Sequence, residues 1–100
     1  MSNDDLRATL LRTFLDDIRP RLERLGGRVA AGDATAVEFE AHGLKGMCGA
    51  IGAARCASLF KALESAGRAR DLTQASALVR VVHDEVTRVE HVVTPLLDAA

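Results

Sequence analysis

His42, Lys45 and the glycines at 43, 46 and 49 fall in one short run, His-Gly-Leu-Lys-Gly-Met-Cys-Gly. Histidine side chains titrate near about 6.5, so much of such a group is neutral and nucleophilic near pH 7. A neutral imidazole can attack phosphorus and hold the phosphoryl group as a phosphoramidate, labile enough to be passed on. A lysine three residues further along a helix lies on a neighbouring strip of its surface. There its ammonium acts as a flexible point charge toward phosphoryl oxygens. Phosphoryl transfer is mainly positioning and electrostatics. One nucleophile and one cation therefore suffice if a partner supplies the metal and the rest.

The run must sit on a helix for this arrangement to hold. Val37, Ala41, Leu44, Cys48 and Ile51 share one face of a helix that Asp33 is suited to cap. On that wheel His42 falls roughly 140° from Val37, away from the apolar side. The expectation is an exposed imidazole with Lys45, Glu38, Gly46 and Gly49 around it. Each helical glycine costs about 1 kcal/mol relative to alanine, in a domain whose total stability is only about 5–15 kcal/mol. Bare backbone beside the ring gives a bulky partner group room to approach. The bland alternative is close helix packing, which fits Gly43 and Gly52 better than Gly46 and Gly49.

The remaining sequence reads as the scaffold for that helix. Leu11, Leu15, Ile18, Leu22, Leu25 and Val29 recur at spacings of three and four, the stripe of an amphipathic helix, and Leu6, Leu10 and Phe14 extend it. Pro20 lies inside the pattern, so a bend or two coaxial pieces is expected at residues 16–19, with Gly32 as the stop. A third helix is expected over 53–67 with Leu59, Phe60, Leu63 and Cys56 inward, and a connection over 67–70. Asp71 and Gln74 read as a capping box opening a last helix over 72–97. Its two heptad rows are Ala75, Val82, Val89 and Leu96, and Val79, Val86 and Val93. The fold class expected is all-α: an up-and-down antiparallel four-helix bundle with an additional N-terminal helix or helical turn.

One hundred residues make a single domain spanning 1–100. Hydrophobic residues are 48% and aromatics 3%, so an aliphatic core is expected. The formal net charge of −1 argues against nucleic-acid binding, which needs a basic excess. Cys48 and Cys56 form neither a disulfide framework nor a zinc pattern, and Cys48 reads as a small core residue. No apolar run reaches the roughly 18 residues of a membrane span, and no signal-peptide pattern opens the chain. A cytoplasmic, monomeric protein is expected. Met1 and the capping-type residues after it point to a free-standing one.

The run His42-Gly43-Leu44-Lys45-Gly46, then Ile51-Gly52-Ala53, then Leu63-Glu64 resembles the histidine-containing phosphotransfer (HPt) domain. That family's pattern is His-x-x-Lys-Gly, a Gly-Ala turn about ten residues later, and a Leu-Glu pair on the next helix. The resemblance covers nearly the whole chain. It implies a histidine phosphocarrier in a two-component phosphorelay. His42 would accept the phosphoryl group from a receiver-domain aspartate or a kinase and pass it to another receiver. Lys45 would be the supporting cation, and Gly46, with Gly49, would give clearance. In related domains a polar or basic residue on the next helix approaches the histidine. Glu64 and Arg68 occupy such positions here, and Lys61 is a weaker candidate. Met47 and Cys56 depart from the usual small residue or serine and the usual leucine, without touching the nucleophile. The implied partners are response-regulator receiver domains or a hybrid histidine kinase. No cofactor is expected on this chain, because Mg²⁺ belongs to the receiver.

Three other readings compete, and an autokinase is excluded. A degenerate bundle that binds a receiver without transfer is disfavoured by the intact His42 and Lys45. The dimerisation segment of a histidine kinase would carry an acidic residue and then a proline after the histidine, where this chain has Gly43 and Leu44. A bundle metal site needs a Glu three residues before the histidine, and Phe39 stands there. An autokinase needs a glycine-rich nucleotide loop, which is missing. His83 and His91, on the last helix, read as solvated side chains. Docking is expected on the exposed side of the second helix, with apolar contacts from Met47 or from Leu10, Leu11 and Phe14.

Overall fold

The computed structural model describes residues 2–98. They form four helices: α1 (Asn3–Ala30), α2 (Ala34–Ala50), α3 (Ala54–Arg68) and α4 (Ala75–Asp98). Each helix packs on its neighbour in sequence, and α1 closes the ring on α4. The N-termini of α1 and α2 follow local chemistry. Ser2 and Asp5 form a reciprocal capping box at the start of α1, and the Asp33 carboxylate accepts from the Ala36 N–H at 3.1 Å to open α2. The reversals after α1 and α2 use glycines in the left-handed region, Gly32 (φ 69°) and Gly52 (φ 76°).

The expected additional N-terminal helix or turn is not seen. α1 is one 28-residue helix that carries Pro20 within it. Pro20 is exposed, so its ring and missing N–H face water rather than a packed neighbour. The stripe Leu11, Phe14, Ile18, Leu22 and Leu25 keeps its phase across it, and burial of that stripe outweighs the loss of one backbone hydrogen bond.

Three other expectations are corrected. α4 begins at Ala75 instead of 72, because Asp71 turns on its own neighbour: its carboxylate accepts from the Thr73 N–H at 3.1 Å and from the Thr73 hydroxyl. Gly67 lies inside α3, not in the connection. Leu96 is 58% exposed despite its place in a heptad row, because no α2 or α3 residue reaches that end of α4.

The core is Phe14, Ile18, Leu25, Val37, Leu44, Phe60, Leu63, Val82 and Val86, all buried, with smaller residues between them. Each large side chain so buried is worth about 1.5–3 kcal/mol. Cys48 and Cys56 are fully buried against each other where α2 turns into α3. The hydrogen bond with Cys56, together with burial, holds the Cys48 thiol far above its ordinary range, so it packs as a neutral group. Three carboxylates are buried as well. Glu40 faces Arg24 at 3.8 Å, Glu85 is held by Arg88 at 2.7 Å and Arg55 at 3.4 Å, and Glu64 belongs to the site. No helix among the described residues is long and apolar enough to cross a membrane.

Candidate functional site

α2 and α3 lie against each other along their length, and Gly67 is where they come closest. A Cβ built on Gly67 would stand 2.6 Å from the Glu38 backbone N and 2.7 Å from the Ala34 carbonyl. No side chain fits there, so the two backbones are held in direct contact. That contact fixes how far Glu64, one turn earlier on α3, stands from His42 and Lys45 on α2.

The His42 side chain is 70% exposed, whereas that of Glu64 is 6% exposed. The Glu64 carboxylate bridges two α2 groups. Oε2 accepts from His42 Nδ1 at 2.5 Å, and Oε1 accepts from Lys45 Nζ at 2.7 Å. The Lys45 hydrogen bond, and after it the His42 hydrogen bond, holds the Glu64 carboxyl below the usual carboxylate range, against burial acting the other way. An ionised carboxylate accepts only, so the hydrogen in this bond is on Nδ1, and in the neutral form of the ring the lone pair falls on Nε2. Nε2 has no hydrogen-bond partner among the described residues.

Arg68 sits at the rim of this group. Its Nε donates to Glu38 Oε2 at 2.8 Å, and its Nη2 lies 3.8 Å from Glu64 Oε2. Glu38, whose helical spacing marks it only as a surface neighbour of His42, is what orients this arginine. Lys61 is exposed and makes no ion pair among the described residues, so it is not brought to the site.

The glycines separate into three kinds. A Cβ on Gly46 or Gly49 would meet no heavy atom within 4 Å, so neither residue is demanded by packing, and both leave the surface beside His42 bare. A Cβ on Gly43 would lie 2.2 Å from an Arg21 guanidinium nitrogen; Arg21 crosses from α1 over this residue and donates to Met47 Sδ at 2.8 Å. Gly67 alone is required by backbone contact.

The surface around the ring differs from the one expected. Phe14 and Leu11 are core residues, Met47 is partly buried against the core, and exposed Leu10 lies at a distant end of the bundle. The exposed apolar group near His42 is Phe39, one turn earlier on α2 and 76% exposed. Its signal in the sequence was an aromatic off the buried stripe. His83 and His91 are exposed, and His83 Nε2 lies 3.0 Å from Arg19, which also bonds Glu90 and Thr87 between α1 and α4. No group of three or more metal-ligating side chains is gathered among the described residues.

Among known families, the Hpt domain model matches the chain over residues 9–92. Neither curated proteins nor solved structures yield a match. The matched span contains His42, Lys45 and Glu64 and reaches from the first turns of α1 into the last turns of α4. The chain thus belongs to the Hpt domain family, whose members are intermediates of phosphotransfer relays rather than kinases and interact with receiver domains and kinases.

Proposed function

We propose that His42 is the phosphoacceptor, taking a phosphoryl group from a receiver-domain aspartate or from a kinase and handing it to another receiver. The observation that carries this reading is the exposed His42 ring with Nδ1 engaged by buried Glu64 and Nε2 unengaged. The Nε2 lone pair attacks phosphorus, the N–P bond forms, and the P–O bond to the donor carboxylate breaks with its electron pair leaving on oxygen. The ring, still protonated at Nδ1, gains positive charge, which the Glu64 carboxylate offsets through the hydrogen bond it already makes. Transfer onward reverses these steps on the next carboxylate.

Lys45 is the cation for the phosphoryl oxygens. It is shared with Glu64 at rest and has its ammonium partly in water, so reorienting toward a phosphoryl group costs little. Arg68 is a secondary cation, tethered by Glu38. Gly46 and Gly49 provide the clearance, and Phe39 supplies the apolar contact beside the ring. Mg²⁺ and the acidic pocket belong to the receiver.

The test is labelling. Purified protein with ATP and Mg²⁺ alone stays unmodified; adding a phosphorylated receiver labels it, and His42→Gln abolishes the label. Label that persists in His42→Gln overturns the assignment. A profile against all receivers of the cell identifies the partners and the direction of flow.

A further inference from the structure

Arg21 reaches from α1 onto α2 beside the histidine. Its Nη1 donates to Met47 Sδ at 2.8 Å, and its guanidinium lies over Gly43, where a Cβ would run into it. It makes no ion pair among the described residues. Arg7, Arg12, Arg28, Arg70 and Arg80 lack one too, but all five are exposed, whereas Arg21 is half-buried. The acidic side chains of this flank are engaged elsewhere or stand off: Glu40 faces Arg24 at 3.8 Å, and Asp17, one turn before Arg21 on α1, is exposed and does not pair with it. Half-burying a guanidinium against a thioether, a weak acceptor, is unfavourable for the isolated fold. A glycine in the interior of α2 is unfavourable as well. Together they hold a cationic head at a fixed place on the surface without an internal partner.

That place is across the histidine from the cations already described. Around α2, Lys45 lies about 60° to one side of His42 and Gly43 about 100° to the other. Lys45 and Arg68 are both engaged by carboxylates, Glu64 and Glu38. Phe39, one turn before Gly43 and 76% exposed, lies on the Gly43 side of the ring. A partner that brings a phosphoryl group onto His42 therefore meets, along this edge, an aromatic ring and a guanidinium with no carboxylate of its own.

We propose that Arg21 is a docking residue for the receiver, pairing with a carboxylate on the rim of the receiver's acidic pocket. This rests on the reading of His42 as the phosphoacceptor. The phosphoryl group has Lys45 on its own side of the ring. Arg21 is farther round the helix, held there by Met47 and by the space over Gly43, so it meets what surrounds the phosphoryl group. The guanidinium fork matches a carboxylate with two parallel hydrogen bonds. Exchanging the thioether for a carboxylate replaces a weak hydrogen bond by a charge-assisted pair that exists only in the complex. A receiver without an acidic side chain at that point of its rim leaves the guanidinium half-buried and unpaired, which disfavours it. Arg21 thus selects among receivers and leaves the transfer step itself to His42, Glu64 and Lys45.

Arg21→Gln breaks no ion pair and should keep the thermal melt. Its KM for a phosphorylated receiver should rise about five- to tenfold with kcat unchanged, and its kcat/KM should fall less steeply with added salt. Labelling of His42 by phosphoramidate, a donor with no protein surface, should match the parent. Gly43→Ala keeps Arg21 but displaces its flexible head, so it should raise KM without lowering the Tm, and the double variant should be no worse than Arg21→Gln alone. A parental KM in Arg21→Gln overturns the proposal. Slower labelling by phosphoramidate in Arg21→Gln also overturns it, by putting the guanidinium on the phosphoryl group. Calorimetric binding of the same receiver to His42→Gln and to His42→Gln/Arg21→Gln needs no transfer. If His42 is not the acceptor, weaker binding by the second variant still supports the docking role, and equal binding overturns it.

Discussion

Glu64 Oε2 meets His42 Nδ1 at 2.5 Å across the α2–α3 interface, from a side chain that is itself almost wholly buried. A mobile surface histidine would present either nitrogen. This one is held by a carboxylate that cannot move without unpacking α3. The consequence is regiochemical: phosphorylation should fall on Nε2. Glu64→Gln keeps an acceptor for Nδ1 and should label more slowly but on the same nitrogen. Glu64→Ala removes the acceptor, should cost about 1–2 kcal/mol of stability through its solvated partners, and should cut transfer at least tenfold. Heteronuclear NMR of the phosphorylated protein distinguishes the two nitrogens, and a label on Nδ1 in the parent would refute the arrangement.

A Cβ on Gly46 meets no heavy atom within 4 Å, so replacing it tests clearance without disturbing packing. Gly46→Ala should stabilise α2 by up to about 1 kcal/mol, which raises the Tm by about 4–8 °C in a domain of this size. The same methyl should slow transfer about tenfold, because it projects where the partner must approach. A variant that is more stable and equally active would show that the glycine has no part in docking.

Phe39 pays no part of the stability of the fold at 76% exposure. Phe39→Ala should leave the thermal melt unchanged and raise the KM for a phosphorylated receiver by about five- to tenfold, the worth of a modest aromatic anchor. Unchanged kcat with raised KM would place it in docking. Equal KM in the variant and the parent would remove it from the interface.

What the sequence disclosed and what it withheld divide along physical lines. Period-3.6 patterning located the four helices, since burial of one stripe dictates each of them, and it placed His42 outward. Its limits are seen at Pro20, where packing carried α1 through a residue that local propensity would read as a break, and at Leu96, where a heptad row continued past the end of the helices it should bury against. Helix lengths relative to one another, not periodicity, decide that burial. In the site, the ring and the lysine were legible from residue type and spacing and Glu64 only through the family resemblance, and the pairing among them was not legible at all. Gly67 reads as a terminus in the sequence because a glycine near a helix end looks the same whether it stops the helix or admits a neighbouring backbone. Arg21 over Gly43 was invisible, being a contact between helices with no local signature.

Gly67 and Gly49 therefore offer opposing outcomes from one chemical change. At Gly67 a methyl would run into backbone atoms of α2 at 2.6 and 2.7 Å, and backbone cannot rotate away. Overpacking of this kind costs about 1–3 kcal/mol, more than the propensity gain of up to about 1 kcal/mol. Gly67→Ala should lower the Tm, and by pushing α3 off α2 it should also weaken the Glu64–His42 contact and slow labelling. Gly49→Ala, with nothing in reach, should raise the Tm. Thermal melts of the two variants side by side decide this, and a stabilised Gly67→Ala would contradict the close approach.

The Glu64 carboxylate also sets a pH dependence whose direction follows from its shift. Its folded-state pKa is lowered, first by Lys45 and then by His42, so the folded protein binds its proton less readily than the unfolded chain does. Stability from this group is fully present above the unfolded carboxylate value of about 4.3 and is lost as pH falls through the lower folded value. Glu64→Gln has no such titration. Urea midpoints of the parent and the variant should therefore differ by a constant amount just above about pH 5 and converge as pH is lowered toward about 3. A gap that persists unchanged at pH 3 would mean that the carboxylate contributes packing alone and that its bonds to His42 and Lys45 add nothing to the fold.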